Sequence, residues 1–256
     1  DQVNALRYWA ETPEQWFDEV GVPEGARGTL ERLAYRNGAF QAIADLRLVA
    51  PAEMEPAERL SLAGALASEA TVALSLRVRS ASEVEGLVRY WGEGGREEQV
   101  RPLLRAAAAS GAPLDVRLLL PEFAQRRLYA YPVASESTPL ETGSRDCHWS
   151  ALNFFNAEPE DGLGEAGVVS RVMGEEYEPA VGAPRLGDVL VFVRDGEAFH
   201  SAVHVAGDIV FTRNGTRPSR PWMLLPLPVM LDFYPGESEV EVVRLRRAGG
   251  RGGKVG

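Results

Sequence analysis

The sequence predicts an α+β protein: a mostly helical N-terminal region, then a helix that carries a cysteine and packs on an antiparallel sheet. Three observations predict it. Apolar residues recur at helical spacing in the first half, as in Leu60, Ala63, Leu66, Ala67, Ala70 and Leu74. Beyond a stretch rich in Pro, Ser, Thr and Gly at 132–145 the period shortens to that of strands, with Arg194-Asp195-Gly196-Glu197 as a hairpin turn. A composition of 45% hydrophobic and 25% charged residues over 256 positions is that of a globular chain long enough for two modest domains.

Each element has its own signal. Thr12-Pro13-Glu14-Gln15 reads as a capping box with proline at the first helical position, opening a helix that ends near Gly21. Thr29 opens a second helical stretch that stops at Asn37-Gly38. A buried helix is expected over 56–77. Ser82 with Glu85 forms another capping box, for a helix that runs to the glycines at 92–95. Helices follow at 97–110, stopped by Gly111, and from Pro121 through Leu128. In the second half, Cys147–Phe155 reads as a short helix and 157–167 as loop. Val189–Val193, Ala198–Val205 and Ile209–Arg213 read as strands, and Glu239–Leu245 as an edge strand. The boundary falls between 131 and 132: residues 1–131 form a helical accessory region, 132–248 the domain with the chemistry, and 249–256 a flexible basic, glycine-rich tail.

Composition excludes several functions. A net charge of −10 argues against a general nucleic-acid binder, which needs a basic face to displace counterions. No apolar run reaches the ~18 residues of a membrane helix. Cys147 is the one cysteine, so neither an internal disulfide nor a multi-thiolate zinc site is available. No glycine-rich phosphate loop follows a strand, and no cofactor is expected. The chain begins Asp1-Gln2-Val3, which leads us to expect that a leading segment has been removed.

Cys147 lies where a loop ends and a helix begins, a place whose free N–H groups and macrodipole favour thiolate over thiol. A lone cysteine is equally often a small buried hydrophobe. A cysteine nucleophile needs a base, and the base needs a third group to hold its tautomer. His200, at the start of a strand, is the candidate base. If Ala206-Gly207-Asp208 form the turn that follows, His204 faces Val210 and His200 faces Asn214. A two-residue turn instead brings Ser201 opposite Asn214. Asn214 is thus a candidate orienting residue, although Asn214-Gly215 is also an ordinary turn dipeptide. His148 points about 100° around the helix from Cys147 and is expected to pack or face substrate. His204, roughly 13 Å along the strand from His200, cannot share a metal ion with it, so no metal site is expected.

Asp146-Cys147-His148-Trp149, Arg185-Leu186-Gly187-Asp188-Val189-Leu190-Val191-Phe192 and His200-Ser201-Ala202-Val203-His204-Val205-Ala206-Gly207-Asp208 follow one another in that order, within 145–215. The series resembles the NlpC-type branch of the papain-like cysteine peptidases and amidases. The resemblance implies a papain-like core in 132–248, with Cys147 as nucleophile, His200 as base and a polar residue of the next strand, Asn214 or Thr212, as third member. It makes Tyr131 the nearest candidate for the family's oxyanion tyrosine. The sequence departs from the family after the cysteine, where His148-Trp149 replaces the usual Ser-Gly. What the resemblance implies is a thiol hydrolase that cleaves an amide bond, with cell-wall peptide (peptidoglycan) as substrate class and an extracytoplasmic location. Two alternatives stay open: a thioester-forming acyltransferase on the same residues, and a catalytically inert binding module. The oligomeric state is left open.

Overall fold

In the computed structural model, which describes residues 5–44, 54–132, 145–216 and 220–248, the chain divides after Ala70. One unit takes in Asp1–Ala70 and Pro228–Pro235, the other Thr71–Leu227 and Gly236–Gly256.

The first unit is not all helical. Strands β1 (Leu6–Trp9), β2 (Tyr35–Asn37) and β3 (Phe40–Ile43) form an antiparallel sheet in the order β1-β3-β2. Each is three or four residues long, too short for a period of two to show in sequence. Asn37-Gly38, expected to stop a helix, turns β2 into β3, with Gly38 at φ 59°. Helices α1 (Pro13–Val20), α2 (Glu24–Leu33) and α3 (Pro56–Leu66) complete this unit around Trp16, Phe17, Leu30, Ile43 and Leu62. At α1 Thr12 caps the helix as read, its Oγ1 accepting from the Gln15 amide at 3.2 Å, but the return bond of the capping box falls one residue early, Gln15 Oε1 accepting from the Glu11 amide at 2.8 Å. The helix expected over 56–77 stops at Leu66. Further on, the Val72 amide donates to Leu224 O at 3.0 Å and Leu224 N to Thr71 Oγ1 at 3.0 Å, bonds a continuing helix could not make.

In the second unit β4 (Ser75–Leu76) pairs with β5 (Leu114–Asp115), and helices α4 (Val84–Trp91), α5 (Glu97–Ser110) and α6 (Glu122–Arg127) follow the predicted order. The Ser82 capping box does not form. A 3₁₀ turn, Ala81–Glu83, precedes α4, and Glu83 Oε2 accepts from the Arg79 amide at 3.0 Å. Helix α7 (Cys147–Leu152) carries the cysteine, and α8 (Ala166–Glu176) was not expected. Only Val169 and Val172 of α8 are buried, and Gly167 and Gly174 weaken its helical signal.

Strands β6 (Tyr177–Pro179), β7 (Val189–Arg194), β8 (Glu197–Ala206), β9 (Ile209–Arg213), β10 (Trp222–Pro226) and β11 (Glu241–Arg247) form one antiparallel sheet, in the order β10-β9-β8-β7-β11-β6. Asp195 and Gly196, at φ 53° and 82°, make the tight β7–β8 turn. β11 is not the edge strand expected, being paired to β7 and β6. Its charges are partnered: Arg246 holds both oxygens of buried Asp188 at 2.7 Å, and Arg244 Nη2 donates to Ala180 O at 3.0 Å.

Val88 and Trp91 of α4, Leu104 of α5 and Phe123 of α6 share one core with Trp149, Val203 and Phe211. Residues 71–131 therefore belong with the sheet, and the boundary expected between 131 and 132 lies instead after Ala70. Most of the 132–145 stretch and all of the 249–256 tail lie outside the described residues. The chain is α+β. Among the described residues no helix is long and apolar enough to cross a membrane.

Candidate active site

Cys147 is the first residue of α7. Asp146 caps the helix: its Oδ1 accepts from the amides of His148 and Trp149 at 2.9 and 3.0 Å. Ser150 Oγ returns to Asp146 O at 2.6 Å and accepts from Trp222 Nε1 at 2.8 Å, tying the helix to β10. Guanidinium and indole planes alternate beside it. Arg145 lies over Trp149, Arg127 between Trp149 and Trp222, and Arg213 over Trp222. Arg213 also donates to the carbonyl oxygens of Arg145 and Thr216, and Arg145 pairs with Asp161 at 2.9 Å.

The register of β8 and β9 combines both readings of the turn. Gly207-Asp208 is a two-residue turn, with Ala206 opposite Ile209, but a bulge at Val205 restores His204 opposite Val210. The ladder opens beyond Val203–Phe211. In an antiparallel pair a residue presents its N–H and C=O to the same neighbour. Ser201, two residues past the last β9 partner, has its carbonyl taken by a side chain: Thr212 Oγ1 donates to Ser201 O at 3.3 Å.

Thr212 Oγ1 also lies 2.9 Å from His200 Nε2. The group at Nε2 is therefore Thr212, which the sequence left as the alternative to Asn214. Asn214 follows the last residue of β9, whereas Thr212 sits diagonally from His200 on the same face.

Alternation sends Ser201 and Val203 toward α7 and His200 and Ala202 to the opposite face. Ser201 Oγ accordingly meets His148 Nδ1 at 2.7 Å, while the His200 ring lies 5.6 Å from that of Phe192. Cys147 and His200 thus meet the same stretch of β8 and share no hydrogen bond.

Electrostatics overturn one expectation. The Cys147 thiol is pushed up to about 12, first by burial and then by the Asp146 carboxylate, against the amides of Ser201, His148 and Cys147 itself. Only 7% of the residue is exposed. A six-residue helix capped by a carboxylate does not offset that burial, so the site does not favour the thiolate expected from helix position. Burial, aided by His148, holds the His200 imidazole down at about 3. At neutral pH the sulfur and both imidazoles are uncharged, since burial also lowers His148, against Asp146.

His204 is bound to the main chain, with Nδ1 3.0 Å from Arg185 O and Nε2 3.1 Å from Gly207 O. Among the described residues no three His, Cys, Asp or Glu side chains are grouped to hold a metal ion. Tyr131 is 46% exposed. Ser201 was missed by sequence reasoning. Its one signal was parity, since it points to the face opposite His200, where the cysteine helix packs. Comparison of the chain with protein-family models, with curated proteins and with solved structures gives no match. The likeness to NlpC-type proteins accordingly stands on the residues quoted for it.

Proposed function

We propose that the chain is a thiol hydrolase of amide bonds, with Cys147 as nucleophile, His200 as base and Thr212 as the residue that orients the imidazole. The observation that carries this reading is the run of contacts from the cysteine helix to His200: His148, beside Cys147, meets Ser201 Oγ, and Thr212 Oγ1 meets both Ser201 O and His200 Nε2. A threonine hydroxyl has one hydrogen. If it goes to Ser201 O, Oγ1 accepts from His200 Nε2–H, and the lone pair of the neutral ring lies on Nδ1. A neutral imidazole is the form a general base requires.

In this mechanism Nδ1 takes the thiol proton as sulfur attacks the amide carbon, so no resting thiolate is needed. His200 then protonates the departing amine. Water, deprotonated by the same ring, cleaves the thioester and frees the acid, and the ring returns that proton to the departing sulfur. The mechanism requires the His200 ring, on the face of β8 away from α7, to come within reach of the sulfur in the substrate complex. A papain-like arrangement of the core and cell-wall peptide as the substrate class follow from the resemblance and belong to the same proposal. Cys147→Ala is the test, assayed against peptidoglycan fragments and simple amides. Loss of turnover supports the reading, and unchanged turnover ends it.

A second reading, an inert binding module, is favoured by the burial of Cys147 and His200. Turnover separates the two: an inert module hydrolyses neither peptidoglycan fragments nor simple amides, whereas the hydrolase loses that activity on Cys147→Ala.

A further inference from the structure

We propose that Arg213 is a positioning residue that couples the two halves of the site: neighbouring residues of β9 reach opposite faces of the sheet, Thr212 to the His200 ring and Arg213 to the main chain that leads into Cys147. The proposal rests on the reading of Cys147 as nucleophile and His200 as base. Alternation sends Phe211 and Arg213 toward α7, where Phe211 shares a core with Trp149, and Thr212 to the other side. The Arg213 side chain is fully buried. Its planar fork serves main-chain carbonyls: Nε donates to Arg220 O at 3.1 Å, Nη2 to Thr216 O at 2.9 Å and Nη1 to Arg145 O. The first two bonds fix the plane of the guanidinium, and the last ties it to the peptide just ahead of Asp146 and Cys147.

A second route from the same guanidinium ends one residue further on. Arg213 and Trp222 are cross-strand partners, and the guanidinium lies 4.8 Å from the centre of the indole ring. Trp222 Nε1 donates to Ser150 Oγ at 2.8 Å, and Ser150 Oγ donates to Asp146 O at 2.6 Å. The carbonyls of Arg145 and Asp146, which immediately precede Cys147, are thus both held from the β9–β10 pair. The helix they open has only six residues, too few to hold itself in place, so its position depends on such anchors. Because Thr212 and Arg213 are adjacent, the group that orients the base and the group that anchors the nucleophile move as one unit. A lysine in place of Arg213 would keep the charge and lose the fork.

Because Cys147 is the only cysteine, the mass gain of the intact protein reads its alkylation directly. Iodoacetamide rates at pH 8 and steady-state rates on one amide substrate are measured for the native chain, Arg213→Met, Arg213→Lys and Arg246→Met. Far-UV circular dichroism checks the fold. Arg246→Met is the control for a guanidinium lost elsewhere in the sheet, on β11, where it grips buried Asp188. Both Arg213 variants are expected to lower kcat by about 10²-fold, the scale of a displacement of about 1 Å, with KM within about threefold of native. With its helix loosened, the sulfur is expected to be alkylated about tenfold faster than in the native chain or in Arg246→Met. Arg213→Lys carries the test if Arg213→Met does not fold. Native kcat in a folded Arg213 variant, or alkylation no faster than in Arg246→Met, overturns the coupling. If Cys147→Ala abolishes turnover while the Arg213 variants keep the native kcat, the coupling alone falls. If the native chain does not turn over amide, or Cys147→Ala still does, the hydrolase reading falls, and the alkylation rates alone decide whether Arg213 holds the cysteine.

Discussion

Thr212 and Asn214 are two residues apart on one strand, share a face and are both polar, so a one-dimensional pattern cannot rank them. What separates them is the widening of the β8–β9 ladder, and the bulge at Val205 that precedes it leaves no mark in composition. The pairing of His204 with Val210 was legible. The role of Thr212 was an alternative, and Ser201 showed only in the alternation of β8, because its partner His148 lies 53 positions away in the chain. Thr212→Val keeps the shape and removes the hydroxyl. It is expected to lower kcat for the amidase reaction by on the order of 10²-fold, as for the loss of a properly oriented base, with Asn214→Ala within about threefold. Steady-state rates on one amide substrate decide between them. The same Thr212→Val change strips a partner from buried His200 and Ser201 O. Denaturant unfolding should show a loss of about 1–3 kcal/mol.

At the scale of elements, sequence reading succeeded where punctuation and period agreed and failed where length was short. α5 ends at Gly111, at φ 69°, as its glycine said. β1, β2 and β3 were lost in helical spacing, because three or four residues sample too little of either period. Gly187, before β7, shows why one glycine of the Leu186-Gly187-Asp188 run is fixed. Its φ is 90°, and a Cβ there would lie 2.2 Å from the Phe155 ring. Gly187→Ala is expected to cost about 2–4 kcal/mol, from overpacking and left-handed strain together. Gly174→Ala, in α8 with nothing within 4 Å of the new methyl group, is expected to add about 0.5–1 kcal/mol. Urea melts of the two variants test the contrast, and a neutral Gly187→Ala would refute the packing argument.

For the molecule as a whole, the two displaced titrations set a window of stability. Unfolding releases the His200 ring to its ordinary 6.5 from about 3, so between those values the unfolded chain binds the extra proton. Stability from this group is whole above about 6.5 and drains away as pH falls toward 3, by up to about 1.4 kcal/mol per pH unit. The Cys147 thiol runs the other way. Its stabilisation is whole below 9 and is lost as pH rises toward about 12, where Tyr90, also held up to about 12, joins it above 10. Unfolding free energies measured from pH 5 to 10 should form a plateau between about 6.5 and 9. Cys147→Ala should flatten the arm between 9 and 10, and an arm that keeps its slope in that variant would contradict the assignment.

The first unit borrows Pro228–Pro235 from near the far end of the chain, and those residues do structural work there. Asp232 Oδ2 accepts from the Ala39 amide at 2.6 Å, Arg7 donates to Phe233 O at 2.9 Å, and the Phe233 ring meets Phe40 edge-on. During synthesis on the ribosome, the residues up to Ala70 must therefore wait for Pro228–Pro235 to emerge before their unit is whole. A nascent chain arrested before residue 228 should expose an unfinished N-terminal unit to chaperones and proteases, and neither unit can be cut out as a single continuous fragment.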